Sequence, residues 1–201
     1  MTRAPALVAR PLTPDRWPDL ERLFGPSGAY SNCWCAFQRL TGREFSAGCE
    51  KRGAGNRALL RRLTEAEGRP GLIAYREEEP VGWVSIGPRR EFGRILRSPI
   101  TRLSPDEATD ASVWSVVCFF VPRPHRGSGV GRALLDHAVR HARRAGAATL
   151  EAYPVDTGGA RAQYSSVFTG TLGLFRSAGF EVVSERVAAR PVVRLSLRQR
   201  G

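Results

Sequence analysis

A glycine-rich segment in the second half of this 201-residue sequence is the feature whose residue types most directly predict chemistry. It lies between an apolar run and a segment of helical periodicity, and it consists of Arg126, Gly127, Ser128, Gly129, Val130 and Gly131, with Arg132 next. The first N–H groups of a helix have no intrahelical partner, and the helix dipole favours negative charge at that end. Glycines let a pyrophosphate approach the backbone, and the arginines add positive charge. The segment therefore predicts an anion-binding loop, with a glycine turn needed only for packing as the alternative.

Two common phosphate-binding patterns do not fit this loop. A P-loop needs a lysine after its last glycine, and the chain has one lysine, Lys51, far from the segment. A dinucleotide fingerprint would use Gly127 and Gly129 but would place Arg132 where its third glycine belongs, although Glu151 stands at a suitable distance downstream. The pattern excludes nucleotide hydrolysis of the P-loop kind and disfavours dinucleotide binding.

The elements around the loop predict a parallel crossover. Val113–Val121 is apolar, β-branched and aromatic, as expected for a strand that is covered on both faces. Val130–Arg144 repeats its apolar residues at helical spacing, and Ala148–Tyr153 reads as the next strand. The three together form a right-handed strand-helix-strand unit that would position the loop.

The rest of the chain predicts further strands and helices around this unit. The other expected strands are Ala6–Leu12, Leu72–Arg76, Val81–Gly87, Phe180–Ser184 and Val192–Leu197. The other expected helices run from Thr13-Pro14 to Phe24, from Arg57 to Glu67 with Asn56 as its cap, and near Leu172–Ser177. Tyr30–Gly48 and Pro88–Asp110 are expected to be loops. We predict a mixed α/β fold with a largely antiparallel sheet and helices on both faces, in one domain covering residues 1–201.

Composition excludes several classes of protein. With 42% hydrophobic and 25% charged residues the chain is neither disordered nor fibrous, and no window suggests a membrane span. Arg10-Pro11 interrupts any apolar signal-peptide core, so we expect a cytoplasmic protein. The formal charge of +12 comes from 30 arginines and one lysine that are spread along the chain. Nucleic acid is disfavoured as the principal ligand, because such binders concentrate their charge on one face or tail.

The strand-loop-helix segment VPRPHRGSGVGRALLDHAV resembles the signature of the GNAT superfamily, the acyl-CoA-dependent N-acetyltransferases. Arg126, Gly129 and Gly131 take the three defining places of its R/Q-x-x-G-x-G/A motif, and LFRSAGF at 174–180 resembles its late helix and strand. The resemblance covers Val81–Val183 and implies the fold that periodicity also predicts. It implies an enzyme that moves an acetyl group from acetyl-CoA to a primary amine by direct attack, with no metal.

The same resemblance implies a binding site for coenzyme A. Backbone groups at the end of the central strand would meet the pantetheine arm and the thioester carbonyl, and they belong to Phe119, Phe120 and Val121. Amides from Arg126 to Arg132 would hold the pyrophosphate. The acceptor would be a small-molecule or peptide amine, selected by the segments Tyr30–Gly48 and Pro88–Asp110, and a homodimer is left open. The aromatic residues of the first segment, Tyr30, Trp34, Phe37 and Phe45, suit an acceptor pocket and loop anchoring equally.

The catalytic residues are where the sequence departs from the family. Phe175 stands where many members have a tyrosine that protonates the leaving thiolate. Tyr164 is the candidate substitute, with Ser165, Ser166, Thr169 and Thr171 as further hydroxyls. Glu151 and Ser115 are the candidates for accepting the proton of the amine, and a water chain is the alternative. Because of Phe175, a degenerate CoA-binding sensor remains the rival function, followed by a nucleic-acid-binding module.

Cysteines and histidines do not predict a metal site. Cys33, Cys35 and Cys49 match no common zinc spacing, and the pair His137 and His141 lacks the glutamate of a metalloprotease helix. Cys118 on the central strand reads as a buried hydrophobe, with acyl-carrying nucleophile as the alternative.

Overall fold

A seven-stranded sheet forms the centre of the computed structural model, which describes residues 6–66, 69–101, 110–160, 163 and 166–198. The strands are β1 Leu7–Pro11, β2 Gly71–Arg76, β3 Glu79–Pro88, β4 Val113–Phe120, β5 Thr149–Ala152, β6 Glu181–Ser184 and β7 Val192–Ser196. Their order across the sheet is β1-β2-β3-β4-β5-β7-β6. β4 and β5 pair in parallel, and the other neighbours pair antiparallel.

In the described part of the chain, five α-helices cover the two faces of the sheet. They are α1 Trp17–Phe24, α2 Gly42–Glu65, α3 Gly93–Arg97, α4 Val130–Arg144 and α5 Leu172–Arg176, with short 3₁₀ turns at Pro14–Arg16, Arg89–Glu91 and Arg123–His125. Helices α4 and α5 bury their apolar faces in one core, and α1 and the start of the chain form a second core on the other face. Within the described ranges, none of the helices is both long and apolar enough to cross a membrane.

The predicted fold class is confirmed. The sheet is mixed and mostly antiparallel with helices on both faces, and β4, α4 and β5 form the predicted parallel crossover. Helix α4 has the predicted bounds, and each predicted strand is found within two residues of its expected ends.

The predicted second helix is found as the last part of α2, which ends at Glu65 and starts earlier than expected. Helix α2 begins at Gly42, inside the expected loop, because Thr41 and Glu44 form a capping box in which each side chain bonds the other residue's backbone N–H. Residues Glu50–Gly53 interrupt it with non-helical backbone. Asn56, the expected cap, lies buried beyond this break, and its Nδ2 donates to the carbonyl of Asn32 at 3.1 Å.

The second expected loop also contains regular structure. The stretch Pro88–Asp110 begins with the 3₁₀ turn and helix α3, which buries Arg89, Phe92 and Ile95. Residues 102–109 lie outside the described part of the chain. Phe92 and Ile95 of this segment pack against Val117 of β4 and so take part in the core.

Two irregularities of the sheet set up the site. The register of β3 and β4 skips one residue between the pairs Ser85–Cys118 and Ile86–Val116, so Val117 is a β-bulge. Pairing of β4 with β5 stops at Val116, which leaves the end of β4 without a strand on that side. The sheet therefore splays open beside the loop that begins α4.

Candidate active site

The loop at the start of α4 has an open, glycine-dependent backbone. Gly127 and Gly129 have φ of 75° and 84°, a region that residues with a Cβ rarely adopt. A Cβ placed on Gly127, Gly129 or Gly131 would meet no atom within 4 Å, so all three face open space. A ligand can therefore approach the backbone closely along the whole loop.

The main-chain N–H groups of this loop make it a candidate anion site. Among the described residues, the six successive N–H groups from Gly127 to Arg132 have no hydrogen-bond acceptor, and the first turn of α4 holds no acidic residue. Unpaired N–H groups at a helix start, together with the helix dipole, favour a negatively charged ligand.

The side chains of the loop support its shape. Arg126 Nε donates to the carbonyl of Val121 at 2.9 Å. The guanidinium of Arg132 pairs with Asp136 at 2.9 Å and donates to Ser177. Ser128 Oγ donates to the carbonyl of His125 at 2.7 Å and accepts from Arg76. The predicted arginines thus tie the loop to neighbouring elements, and the main-chain N–H groups are its candidate anion donors.

The open end of β4 is partly covered by Phe168, a residue that the sequence did not single out. Phe119 N–H donates to the carbonyl of Phe168 at 2.6 Å, at the position where β5 no longer pairs. Phe120 pairs with Trp83 across the sheet and points to the opposite core, where it contacts Phe24. A ligand that bonds the N–H of Phe119 must therefore displace Phe168.

A cavity of about 260 Å³ lies beside this end of β4. We call it the aromatic cavity, because its walls include the rings of Tyr30, Phe37, Phe45, Phe119, Phe120 and Phe168. Three of the four aromatic residues predicted in Tyr30–Gly48 therefore line the cavity. The fourth, Trp34, is buried against Trp17 and Phe24 instead. The segment thus supplies both cavity walls and a core anchor.

Three thiols complete the wall of the aromatic cavity. Cys35 Sγ lies 3.6 Å from Cys118 Sγ and accepts from Trp83 Nε1, and Cys33 is the third. The adjacent Cys35 thiol, followed by burial, raises the pKa of Cys33, and the Cys118 thiol does the same to Cys35. These two thiols therefore stay protonated at neutral pH. In the described part of the chain, no cluster of histidine, cysteine or acidic side chains could hold a metal ion.

Glu151 lies in a buried ion-pair network. Its side chain has no exposed surface, Oε1 lies 2.9 Å from Arg89 Nε, and Oε2 accepts from Arg194 Nε at 2.8 Å. Tyr153 OH donates to Oε1 at 2.5 Å and contacts Ser115 Oγ at 3.0 Å. Burial, followed by the Glu151 carboxylate, raises the pKa of Tyr153 well above its usual range. The network joins the end of β3 to β4, β5 and β7.

Comparisons with known proteins agree with this geometry. The profile of the acetyltransferase (GNAT) family matches residues 34–164. The chain belongs to the GNAT acetyltransferase family. It is an acetyl-CoA-dependent N-acetyltransferase in the general sense of that family.

Solved structures share the fold of this acetyltransferase at low sequence identity. The PaiA N-acetyltransferase of Thermoplasma acidophilum, solved with coenzyme A, matches with a TM-score of 0.53 and 10% identity over 95% of this chain and 99% of that one. An N-acetyltransferase of Staphylococcus aureus Mu50 matches with a TM-score of 0.55 and 12% identity over 96% of this chain and 99% of that one. A GCN5-related N-acetyltransferase of Kribbella flavida matches with a TM-score of 0.54 and 19% identity over 95% of this chain and 98% of that one. No curated protein matches the sequence.

The acetyltransferase brings two of its three predicted catalytic residues together. Ser115 and Glu151 lie together in the buried network, and Tyr164 lies outside the described residues. Phe175 is fully buried and packs edge to face against Phe180, with Phe119 on its other side, so it brings no hydroxyl to the site. Thr171 caps α5 by accepting from the N–H of Leu174.

Sequence reasoning missed four residues that shape the site of the acetyltransferase: Arg89, Tyr153, Phe168 and Arg194. A charged residue between apolar ones on a buried strand, as Glu151 is, signals that partners must exist. The sequence offers 30 arginines, however, and nothing in their spacing selects two of them. Phe168 has no local signal, because its role depends on where a loop folds back.

Proposed function

We propose that this enzyme transfers the acetyl group of acetyl-CoA directly to a primary amine. In this proposal the backbone from Arg126 to Arg132 holds the pyrophosphate of the cofactor. The observation that supports it best is the run of six N–H groups from Gly127 to Arg132 that have no acceptor among the described residues. A diphosphate carries several acceptor oxygens and matches this donor array in charge and number.

The proposed course of the cofactor follows the open end of β4. The pantetheine arm would run along Phe119, Phe120 and Val121, where β5 has already ended. The carbonyl of Phe168 now accepts from the N–H of Phe119, as a pantetheine amide oxygen would. Binding therefore exchanges one hydrogen bond for another and moves the segment that carries Phe168.

We propose that Glu151 is a structural residue and does not serve as the general base. Its two oxygens face two arginines and a tyrosine, and an amine would have to break these pairs to reach them. The aromatic cavity supplies an alternative, because a low-dielectric surrounding disfavours the charged form of an amine and lowers its pKa. The acceptor then binds after releasing its proton to water.

The chemical step needs one further proton transfer. The amine nitrogen attacks the thioester carbon, the C–N bond forms as the C–S bond breaks, and a proton of the amine passes to the sulfur of coenzyme A. Thr169 is our candidate for relaying it, because its buried Oγ1 has no partner among the described residues. It lines a second cavity, of about 310 Å³, that shares Phe37 and Phe168 with the aromatic cavity.

A CoA-binding sensor without catalytic activity is the second candidate function. The buried phenyl ring of Phe175 favours it, since this position brings no acid to the thiolate. Both functions require the loop to bind acetyl-CoA, and only the enzyme releases free thiol in the presence of an amine. Three expectations from the sequence remain proposals. They are that the chain forms a single domain, that the protein is cytoplasmic, and that its partner is a small amine rather than a nucleic acid.

Calorimetric titration of acetyl-CoA into two matched variants tests the proposed site. Gly129 and Gly146 lie at opposite ends of α4, both have positive φ, and both face open space. Aspartate at either position brings the same charge and the same backbone strain. We expect Gly129→Asp to weaken acetyl-CoA binding by at least about tenfold, because a carboxylate then competes with the diphosphate, while Gly146→Asp binds as the wild type does. Equal affinity in the two variants would contradict the proposed site.

A further inference from the structure

The aromatic cavity has a continuous wall of aromatic rings next to the proposed position of the thioester. Phe37 stands between Phe45 and Phe168, with ring centroids 5.3 Å and 6.0 Å away and nearly perpendicular planes. Cys118, Phe119 and Phe120 at the end of β4 line the same cavity. A molecule in the cavity would therefore contact apolar surface and the end of the strand at the same time.

The charge around the cavity disfavours a cationic ligand. None of the described residues that line it is an aspartate or a glutamate. Arg94 lies 4.1 Å from the centroid of the Phe37 ring, and Arg94 and Arg190 line the second cavity behind Phe37 and Phe168. An ammonium group in the aromatic cavity would have no carboxylate counter-ion among the described lining residues, and the guanidinium of Arg94 already occupies one face of the Phe37 ring that could otherwise attract it.

The thiols keep this wall uncharged. The side chains of Cys33 and Cys35 are protonated at neutral pH, as argued above, and Cys35 contacts Cys118 through sulfur. Protonated thiols behave as small, polarisable apolar groups. They favour apolar and aromatic carbon over strongly hydrated groups.

The size of the cavity limits the ligand. Its volume of about 260 Å³ is below the roughly 300–1,000 Å³ typical of sites for drug-sized ligands. One ring with a short side chain fits this space without further movement of its walls.

From these observations we infer that the acceptor is a small primary amine with an aromatic or similarly apolar body, bound in its neutral form in the aromatic cavity. This inference rests on the proposed function and names its substrate class. The apolar body fills the space between Phe37, Phe45 and Phe120, and the nitrogen points to the end of β4. Polyamines and basic peptides are then poor acceptors, although they offer more amino groups.

Steady-state acetylation by the full-length chain tests the substrate class. The two amines compared are 2-phenylethylamine and 1,4-diaminobutane at the same pH. The release of coenzyme A measures the rate of acetylation. We expect kcat/KM for phenylethylamine to be at least about tenfold higher, from the burial of its ring. Phe45→Leu keeps an apolar wall and should preserve this preference within about threefold, whereas Phe45→Asp should lower it by at least about tenfold. Equal or reversed preference in the wild type would overturn the inference.

A binding measurement without turnover provides the second readout. Cys118 lines the aromatic cavity and is partly exposed, while Cys49 lies outside it beside Asn32 and Asn56. We expect 2-phenylethylamine to slow alkylation of Cys118 by N-ethylmaleimide, measured by mass spectrometry, and to leave Cys49 unchanged. If acetyl-CoA binds at the loop but the amine neither reacts nor protects Cys118, the inference fails and the proposed function stands. If acetyl-CoA does not bind at the loop, the proposed function itself fails.

Discussion

Replacing Glu151 with glutamine separates a structural role of this carboxylate from a catalytic one. The substitution keeps the shape of the side chain and removes its charge. Arg89, which has no exposed surface, and Arg194, which is 21% exposed, then face each other without the anion between them. Removing one partner of a buried ion pair costs about 3–5 kcal/mol, because the charge that stays behind loses an interaction that offset its burial.

The expected effect of Glu151→Gln is a large loss of stability with little loss of turnover. For a domain of 150–250 residues each kcal/mol lowers Tm by roughly 2–4 °C, so we expect a decrease of about 6–20 °C. The control is Glu65→Gln, which removes an exposed pair with Arg61 and should cost about 1 kcal/mol or less. Urea unfolding followed by circular dichroism measures both changes in unfolding free energy.

The kinetic measurement decides between the two roles. A general base contributes about 10²–10⁴-fold to the rate, so its removal would reduce kcat by at least a hundredfold. If Glu151 is structural, kcat of the glutamine variant stays within about threefold of the wild type at a temperature where both are folded. A variant with unchanged Tm and a hundredfold lower kcat would refute our assignment.

Two further predictions concern a partly buried histidine, His141, and a buried phenylalanine, Phe175. Burial, followed by Arg69 and Arg144, lowers the pKa of His141, so the folded state binds fewer protons than the unfolded state below about pH 6.5. The contribution of His141 to stability should therefore be complete above that pH and should fall as the pH decreases through the folded pKa. His141→Gln should flatten this part of the plot of unfolding free energy against pH. An unchanged plot would contradict the argument. Phe175→Tyr should lower the unfolding free energy by about 1–3 kcal/mol in urea titrations, because its hydroxyl would be buried near Gly170 without a partner. A gain in kcat without loss of stability would instead indicate that the position accepts a catalytic acid.

The part of the site that depends on local sequence could be predicted. The loop before α4 needs glycine where φ is positive, and its donors follow from the start of a helix, so residues 126–132 carry their own signal. The crossover of β4, α4 and β5 likewise follows from periodicity and from the handedness of such units. Helix α2 could have been found too, since Thr41 and Glu44 have the spacing of a capping box.

The rest depends on contacts between distant parts of the chain. Glu151 meets Arg89 and Arg194 only because β3, β5 and β7 come together in the sheet. Phe168 reaches Phe119 because a loop folds back over the end of β4. The aromatic cavity needs residues from three separate segments, so the sequence could name its aromatic residues without deciding whether they line a pocket.

The central claim is that main-chain N–H groups at the start of α4 bind the diphosphate of the cofactor. A crystal structure of the enzyme with acetyl-CoA tests it most directly. We predict oxygens of the diphosphate at about 2.7–3.2 Å from backbone nitrogens between Gly127 and Arg132, with the carbonyl of Phe168 displaced from the N–H of Phe119. A diphosphate bound elsewhere, or held by side chains alone, would contradict the account.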